Sequence, residues 1–175
     1  MRRLPLCALL LPLALAGRSC GQSIPTVKAR TLSDSEITLP KPGGTQVLVL
    51  VLGFSHKSGD NCSPWDKRLF VDYHSDPRVI YYQLPVLQGA PSLVRPMILR
   101  GMRKDIPADQ QIHFIPILDH EDEWKKLVNF SAPDDPYILL TNPQGRVIWQ
   151  THGPLTDATY DALKSAVSKL LASPA

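Results

Sequence analysis

Cys62, in the stretch Asn61-Cys62-Ser63-Pro64-Trp65, is the side chain of this 175-residue sequence best suited to nucleophilic chemistry. Ser63 can cap a helix, with Pro64 at the first helical position and Asp66 at the third, where a carboxylate suits the positive end. The thiol is then expected just before a helix N-terminus, where its pKa falls and its reactivity rises. His56 lies near enough in sequence to assist it. A dithiol cycle needs a second cysteine to resolve the mixed disulfide, and the residue three positions on is Trp65, which cannot attack a disulfide. Cys62 is therefore open only to monothiol chemistry resolved from outside, or is inert.

Other ligand-type side chains are scattered. His56, Cys62, His74, His113, His120 and His152 show no paired spacing of the kind that holds zinc, so no metal site is expected, and no cofactor. His120 stands among acids at a predicted helix start. Trp124 and Trp149 read as packing, and Asn129-Phe130-Ser131 fits a glycosylation acceptor relevant only to a eukaryotic secretory route.

The elements that must position Cys62 follow from the apolar pattern. Val47 to Leu52 is six consecutive branched apolar residues, the mark of a strand buried on both faces. A loop from Gly53 to Asn61 precedes the helix, which carries Trp65, Leu69, Phe70 and Tyr73 and ends at His74-Ser75-Asp76-Pro77. Val79 to Leu84 reads as a second strand and Ile112 to Leu118 as a third. Between them Leu93, Val94, Met97, Ile98 and Met102 form one helical face that Pro96 must kink or start. Arg95, Arg100, Arg103 and Lys104 make this segment basic, a solvated face rather than an anion site. A short helix around Trp124, Leu127 and Val128 comes next. Pro136 to Leu140 and Arg146 to Gln150 then make a hairpin, and a helix from about Thr156 to Leu171 closes the chain. The order predicts an α/β fold with a central mixed sheet flanked by helices and a C-terminal β-hairpin and helix.

Residues 1–23 read as a signal peptide, with Arg2 and Arg3 ahead of an apolar core from Leu4 to Leu15 and small residues around Ala16. Two alternatives are a lipid anchor at Cys20, the only route to membrane association, and a mitochondrial targeting segment, since no acid precedes Asp34. A periplasmic or secreted location follows from the first. Residues 24–45 are expected to form an arm and turn, 46–172 the domain and 173–175 a tail. The net charge of +3 loses Arg2 and Arg3 with the leader, leaving +1, which argues against nucleic acid.

A cysteine and proline at the end of a buried strand, with a proline opening a later hairpin, resembles the thioredoxin fold over about residues 31 to 171. That resemblance implies a cis proline at the hairpin's start, and Pro136 is the matching position. Within the fold, Tyr82-Gln83-Leu84 with Val86-Leu87, the segment Arg100-Gly101-Met102-Arg103-Lys104-Asp105-Ile106-Pro107, and Gly145-Arg146-Val147-Ile148-Trp149 before Gly153 are similar to the ATP-ten family of mitochondrial ATP synthase assembly factors. There is also a general likeness to exported TlpA-like thioredoxins, whose two cysteines this chain lacks. The resemblance implies a binding or assembly factor for a protein partner, holding an extended segment in a groove lined by Trp65, Pro136, Tyr137 and His56. The alternative is a monothiol oxidoreductase or peroxidase-like enzyme using Cys62. Residues 55 to 62 do not supply the Pro-x-x-x-Thr-x-x-Cys arrangement of peroxiredoxins.

Overall fold

The computed structural model describes residues 21–172, so residues 1–20 of the expected leader, Cys20 among them, and the tail lie outside the described residues. The last residues of that leader are part of the fold, with Val147 N donating to the Gln22 carbonyl at 2.8 Å and Ser23 bridging to Arg146, so the expected boundary at residue 23 falls inside the folded domain. The chain builds β1 (Val27–Arg30), β2 (Glu36–Leu39), β3 (Val47–Gly53), α1 (His56–Tyr73), β4 (Val79–Pro85), α2 (Arg95–Asp105), a 3-10 turn (Gln111–His113), α3 (Glu121–Leu127), β5 (Tyr137–Thr141), β6 (Val147–His152) and α4 (Asp157–Ala172). The central sheet runs β4-β3-β5-β6, parallel between β3 and β4 and antiparallel elsewhere. No helix among the described residues is long and apolar enough to cross a membrane.

The apolar run of β3 is explained by two cores. Leu48, Leu50 and Leu52 face one side with Leu84, Ile115, Ile117, Trp124 and Leu139; Val47, Val49 and Val51 face the other with Trp65, Leu69, Ile138, Tyr160 and Leu163. A central strand sandwiched by helices has no polar face, because period two sends alternate side chains into opposite cores. The hairpin between β5 and β6 turns through Asn142, whose side-chain oxygen accepts from the N–H groups of Gln144 and Arg146. Gly145 sits there at φ 79°, with Pro40 Cγ 2.9 Å from where a Cβ would stand.

Four local expectations are corrected. First, α1 begins at His56, capped by Ser55, so the expected loop from Gly53 to Asn61 is mostly helix and Pro64 lies inside it. Ser63-Pro64 resembles a start signal, but the reciprocal bonds of Ser55 and Ser58 satisfy the free N–H groups eight residues earlier. Second, Ile112 to Leu118 is a 3-10 turn followed by an extended segment. It meets β4 only at isolated parallel bridges, Gln83 to Phe114 and Val86 to Ile117. Third, the cis peptide bond among the described residues is Leu39–Pro40, not Asp135–Pro136. Fourth, the stretch expected as an arm and turn, with Glu36 to Pro40 as a short strand or extended arm, holds that strand as β2 and adds β1 beside it in an antiparallel hairpin whose Val27 and Leu39 enter the core. Pro96 lies in the first turn of α2, which resolves its place as a start rather than a kink.

Candidate functional site

The carboxyl end of β3 hands the chain to α1 through Phe54 and Ser55. Ser55 is extended (φ −140°, ψ 168°), and its Oγ accepts from Ser58 N at 2.9 Å while Ser58 Oγ accepts from Ser55 N at 2.9 Å. Ser58 Oγ also donates to Ser55 O at 2.8 Å, so the fully buried Ser58 hydroxyl uses both of its roles locally. The turn is tight: a Cβ on Gly53 would stand 3.0 Å from Ser58 Oγ and 3.3 Å from Cys62 Sγ.

A second segment closes over this helix end. Ser55 Oγ donates to Asp134 Oδ1 at 2.9 Å, Lys57 Nζ lies 3.3 Å from Asp134 Oδ2, and Asn61 Nδ2 donates to the Asp134 carbonyl at 2.8 Å. The Ser55 hydrogen bond and the Lys57 ammonium hold the Asp134 carboxyl below its usual range. The anion that a helix N-terminus attracts is thus supplied from within the chain. Beside it His152 Nδ1 and Asp135 Oδ2 pair at 2.7 Å, with the His152 ring stacked on Tyr137.

Cys62 is not at this helix end. It lies in the second turn, 2% exposed, with its Sγ 3.7 Å from the Leu52 carbonyl. Burial, and then the nearby Asp66 carboxylate, push the thiol up to about 12. The lowered pKa expected from the sequence is therefore reversed, because a thiolate seven positions inside the helix loses water and gains no free N–H group. Asp66 is itself buried, its Oδ1 has no partner, and desolvation raises its pKa.

The other expected site residues are dispersed. Trp65 is fully buried and its indole Nε1 donates to the Gly153 carbonyl at 3.2 Å. Tyr137 is buried too, and its hydroxyl accepts from Ser131 N and Ala132 N and donates to Ala132 O. Pro136 is buried, with its carbonyl accepting from Gly153 N at 2.9 Å. His56 alone is open, 98% exposed at its side chain, with Asp60 at 4.0 Å. Trp65, Pro136 and Tyr137 are core side chains at adjacent places rather than walls of a groove. Among the described residues no group of three or more His, Cys, Asp and Glu side chains gathers to hold a metal ion.

No family model matches the chain, and no curated protein matches it. Solved structures do. A thiol-disulfide isomerase from Corynebacterium glutamicum superposes with a TM-score of 0.64 at 12% identity, covering 89% of this chain and 99% of that one. The exposed lipoprotein thioredoxin of Streptococcus pneumoniae gives 0.58 at 11%, over 81% and 99%. BsSco, a member of the Sco family of cytochrome c oxidase assembly proteins, gives 0.59 at 10%, over 88% and 96%. The chain has the thioredoxin fold.

A thioredoxin-fold dithiol needs two sulfurs separated by two residues, one of them activated at a helix N-terminus. In this thioredoxin-fold chain the N-cap and the position three residues on are Ser55 and Ser58, both hydroxyls. Reasoning from the sequence missed them because it followed Cys62, the one cysteine among the described residues. The available signal was a Ser-x-x-Ser spacing directly after the buried strand, weaker than the usual capping signature, which ends in Glu or Gln.

Proposed function

We propose that this protein is an exported thioredoxin-fold protein that has given up thiol chemistry and works by binding a protein partner, as a binding or assembly factor. The observation that carries this reading is the Ser55 and Ser58 pair at the helix end where a reactive thiol would stand, closed over by Asp134. A hydroxyl cannot form a mixed disulfide, and the buried Cys62 is held as a neutral thiol. The fold leaves the function open, since one scaffold hosts many. The solved neighbours include both thiol-disulfide proteins and a member of an oxidase assembly family, so the scaffold is compatible with either role. The narrower likeness to the ATP-ten assembly factors rests on its sequence motifs alone, without a matching family model, and points to a subunit of a membrane complex as the kind of partner to seek. A leader read as a signal peptide and a lipoprotein among the neighbours support export.

The test is alkylation of Cys62 by iodoacetamide in native buffer and in guanidinium chloride, with an insulin-reduction assay beside it. Raising a thiol from 9.0 to about 12 lowers its thiolate fraction about a thousandfold near neutral pH, so native alkylation should be slower by at least that factor. Insulin should not be reduced. Fast alkylation of the folded protein, or catalysed insulin reduction lost in Cys62→Ser, would restore the monothiol enzyme.

A further inference from the structure

Away from the Ser55 end, a groove of about 660 Å³ opens between β1 and the extended segment that follows the 3-10 turn, within the size range of ligand sites. Six consecutive residues, Val27 to Leu32, line it. Glu36, Ile37 and Thr38 of β2 line it too, so the opening spans the β1–β2 hairpin, and the hydrogen bonds of β1 decide which backbone groups face outward. Thr31 N donates to Ser35 O at 3.0 Å, toward β2, while Leu32 N donates outward to Phe114 O at 2.9 Å. By the alternation of an antiparallel ladder, the N–H and C=O groups of Lys28 and Arg30 point the same way as those of Leu32, into the groove.

The opposite wall has the same character. Ile115 N donates to Gln83 O and Ile117 N to Pro85 O, so the odd residues pair with β4. The Pro116 carbonyl and the Leu118 N–H and C=O therefore face away from β4, toward β1. The two walls are joined at Leu32 and Phe114, and beyond that bond no backbone hydrogen bond links them among the described residues. Each carries a strand edge whose Lys28, Arg30 and Leu118 amides make no hydrogen bond within the described residues.

The side chains say what would fit. Ala29, Ile37, Leu99 and Leu118 supply apolar lining, and Leu118 is 44% exposed. Four of the charges beside them are paired, Arg30 with Glu36 at 2.6 Å and Arg103 with Asp34 at 3.0 Å, and the two that remain, Lys28 and Asp119, are of opposite sign, so the lining carries no net charge. The groove thus asks for backbone donors and acceptors with apolar side chains, not for a phosphate or an acidic group. An occupant between two edges must also have both of its own edges free. Every named strand of this chain is already paired along at least one edge, so a second copy offers no such strand from the described residues.

We infer that this groove binds an extended, uncharged, apolar segment of another protein, outside any sheet of its own, as a strand inserted between β1 and residues 114–118. The inference rests on the reading that the protein works by binding a protein partner, and deepens it by naming the surface. The inserted segment runs antiparallel to one wall and parallel to the other, because β1 enters the junction at Leu32 and the second segment leaves it at Phe114.

A displayed library of random nonapeptides, selected on the immobilised full chain and followed by amide-shift mapping with a selected peptide, tests this. The expected peptides alternate apolar residues and move the Lys28, Arg30 and Leu118 amides. Lys28→Pro removes only an outward N–H, which an edge strand tolerates, and should weaken binding about tenfold or more with the melting midpoint kept. Leu118→Arg should do the same, and decides alone if Lys28→Pro does not fold. Peptides that bind both variants as tightly as the native chain would overturn the groove. So would shifts confined to Ser55 and Pro136, an empty selection, or self-association abolished by Leu118→Arg. None of these touches the non-redox reading, which stands or falls on the alkylation of Cys62.

Discussion

The N-terminal end of α1 and the groove beside β1 are both places where regular structure stops and backbone groups are left over. They treat those groups in opposite ways. At α1 the Ser55 and Ser58 side chains, Asp134 and Asn61 pair among themselves and with the backbone, so the helix end is filled by the chain's own atoms. Beside β1 the Lys28 and Arg30 amides face an opening and make no hydrogen bond to any of the described residues. On the proposed reading, the helix end is closed by structural contacts, whereas the edge beside β1 is the part left available to a partner. Unpaired strand edges are commonly blunted or covered, so one facing a second edge is a feature to account for.

The largest expected effect tests the closed end. A thiol introduced by Ser55→Cys would sit at the helix N-terminus and should alkylate about a thousandfold faster than Cys62 in the folded protein. Asp134→Asn, which removes the adjacent carboxylate, should speed it further. If the introduced thiol is as slow as Cys62, the helix end is not the activating position and the comparison loses one side.

The open end is sharpened by two prolines one residue apart. Ala29 pairs with Ile37 through its N–H, so Ala29→Pro breaks the β1–β2 ladder and should cost about 3 kcal/mol in chemical denaturation. Lys28→Pro should cost less than about 1 kcal/mol, because its N–H bonds nothing. Equal losses would mean that the outward edge is not free.

Smaller effects follow from the buried polar groups. Ser58→Ala removes the acceptor for Ser55 N and should cost about 1–2 kcal/mol in a urea titration. A loss near zero would show that the cap is ornamental. Asp66 is raised above its unfolded value of 3.8 by burial, so its contribution is most favourable below that pH and is lost as pH rises through the folded pKa. Asp66→Asn should therefore raise the melting midpoint at neutral pH by about 2–4 °C, the shift that ~1 kcal/mol gives in a domain of this size. The gain should disappear in acid. A gain that persists below pH 3.8 would point to packing rather than ionisation.

Much of the fold was legible. The run Val47 to Leu52 announced a strand buried twice, and the hairpin around Asn142 to Gly145 and the closing helix were marked by turn chemistry and period. The candidate site was read less well. Cys62 and Trp65 drew attention as reactive residue and neighbour, yet both turn inward toward β3, because α1 starts at His56, capped by Ser55, and its buried face recurs at Ser58, Cys62, Trp65, Asp66 and Leu69. Two competing N-cap signals stood eight residues apart, and local sequence alone did not rank them.

By itself the sequence determined the layered architecture, since burial on both faces of one strand admits few alternatives. It also showed that Cys62 has no partner at Cys-x-x-Cys spacing, because Trp65 stands three residues on. Only the tertiary structure decided where the helix end falls, that Asp134, distant along the chain, fills it, and that β1 and residues 114–118 leave two edges facing each other. Those are long-range facts, fixed by which segments pack together rather than by the preferences of any one of them.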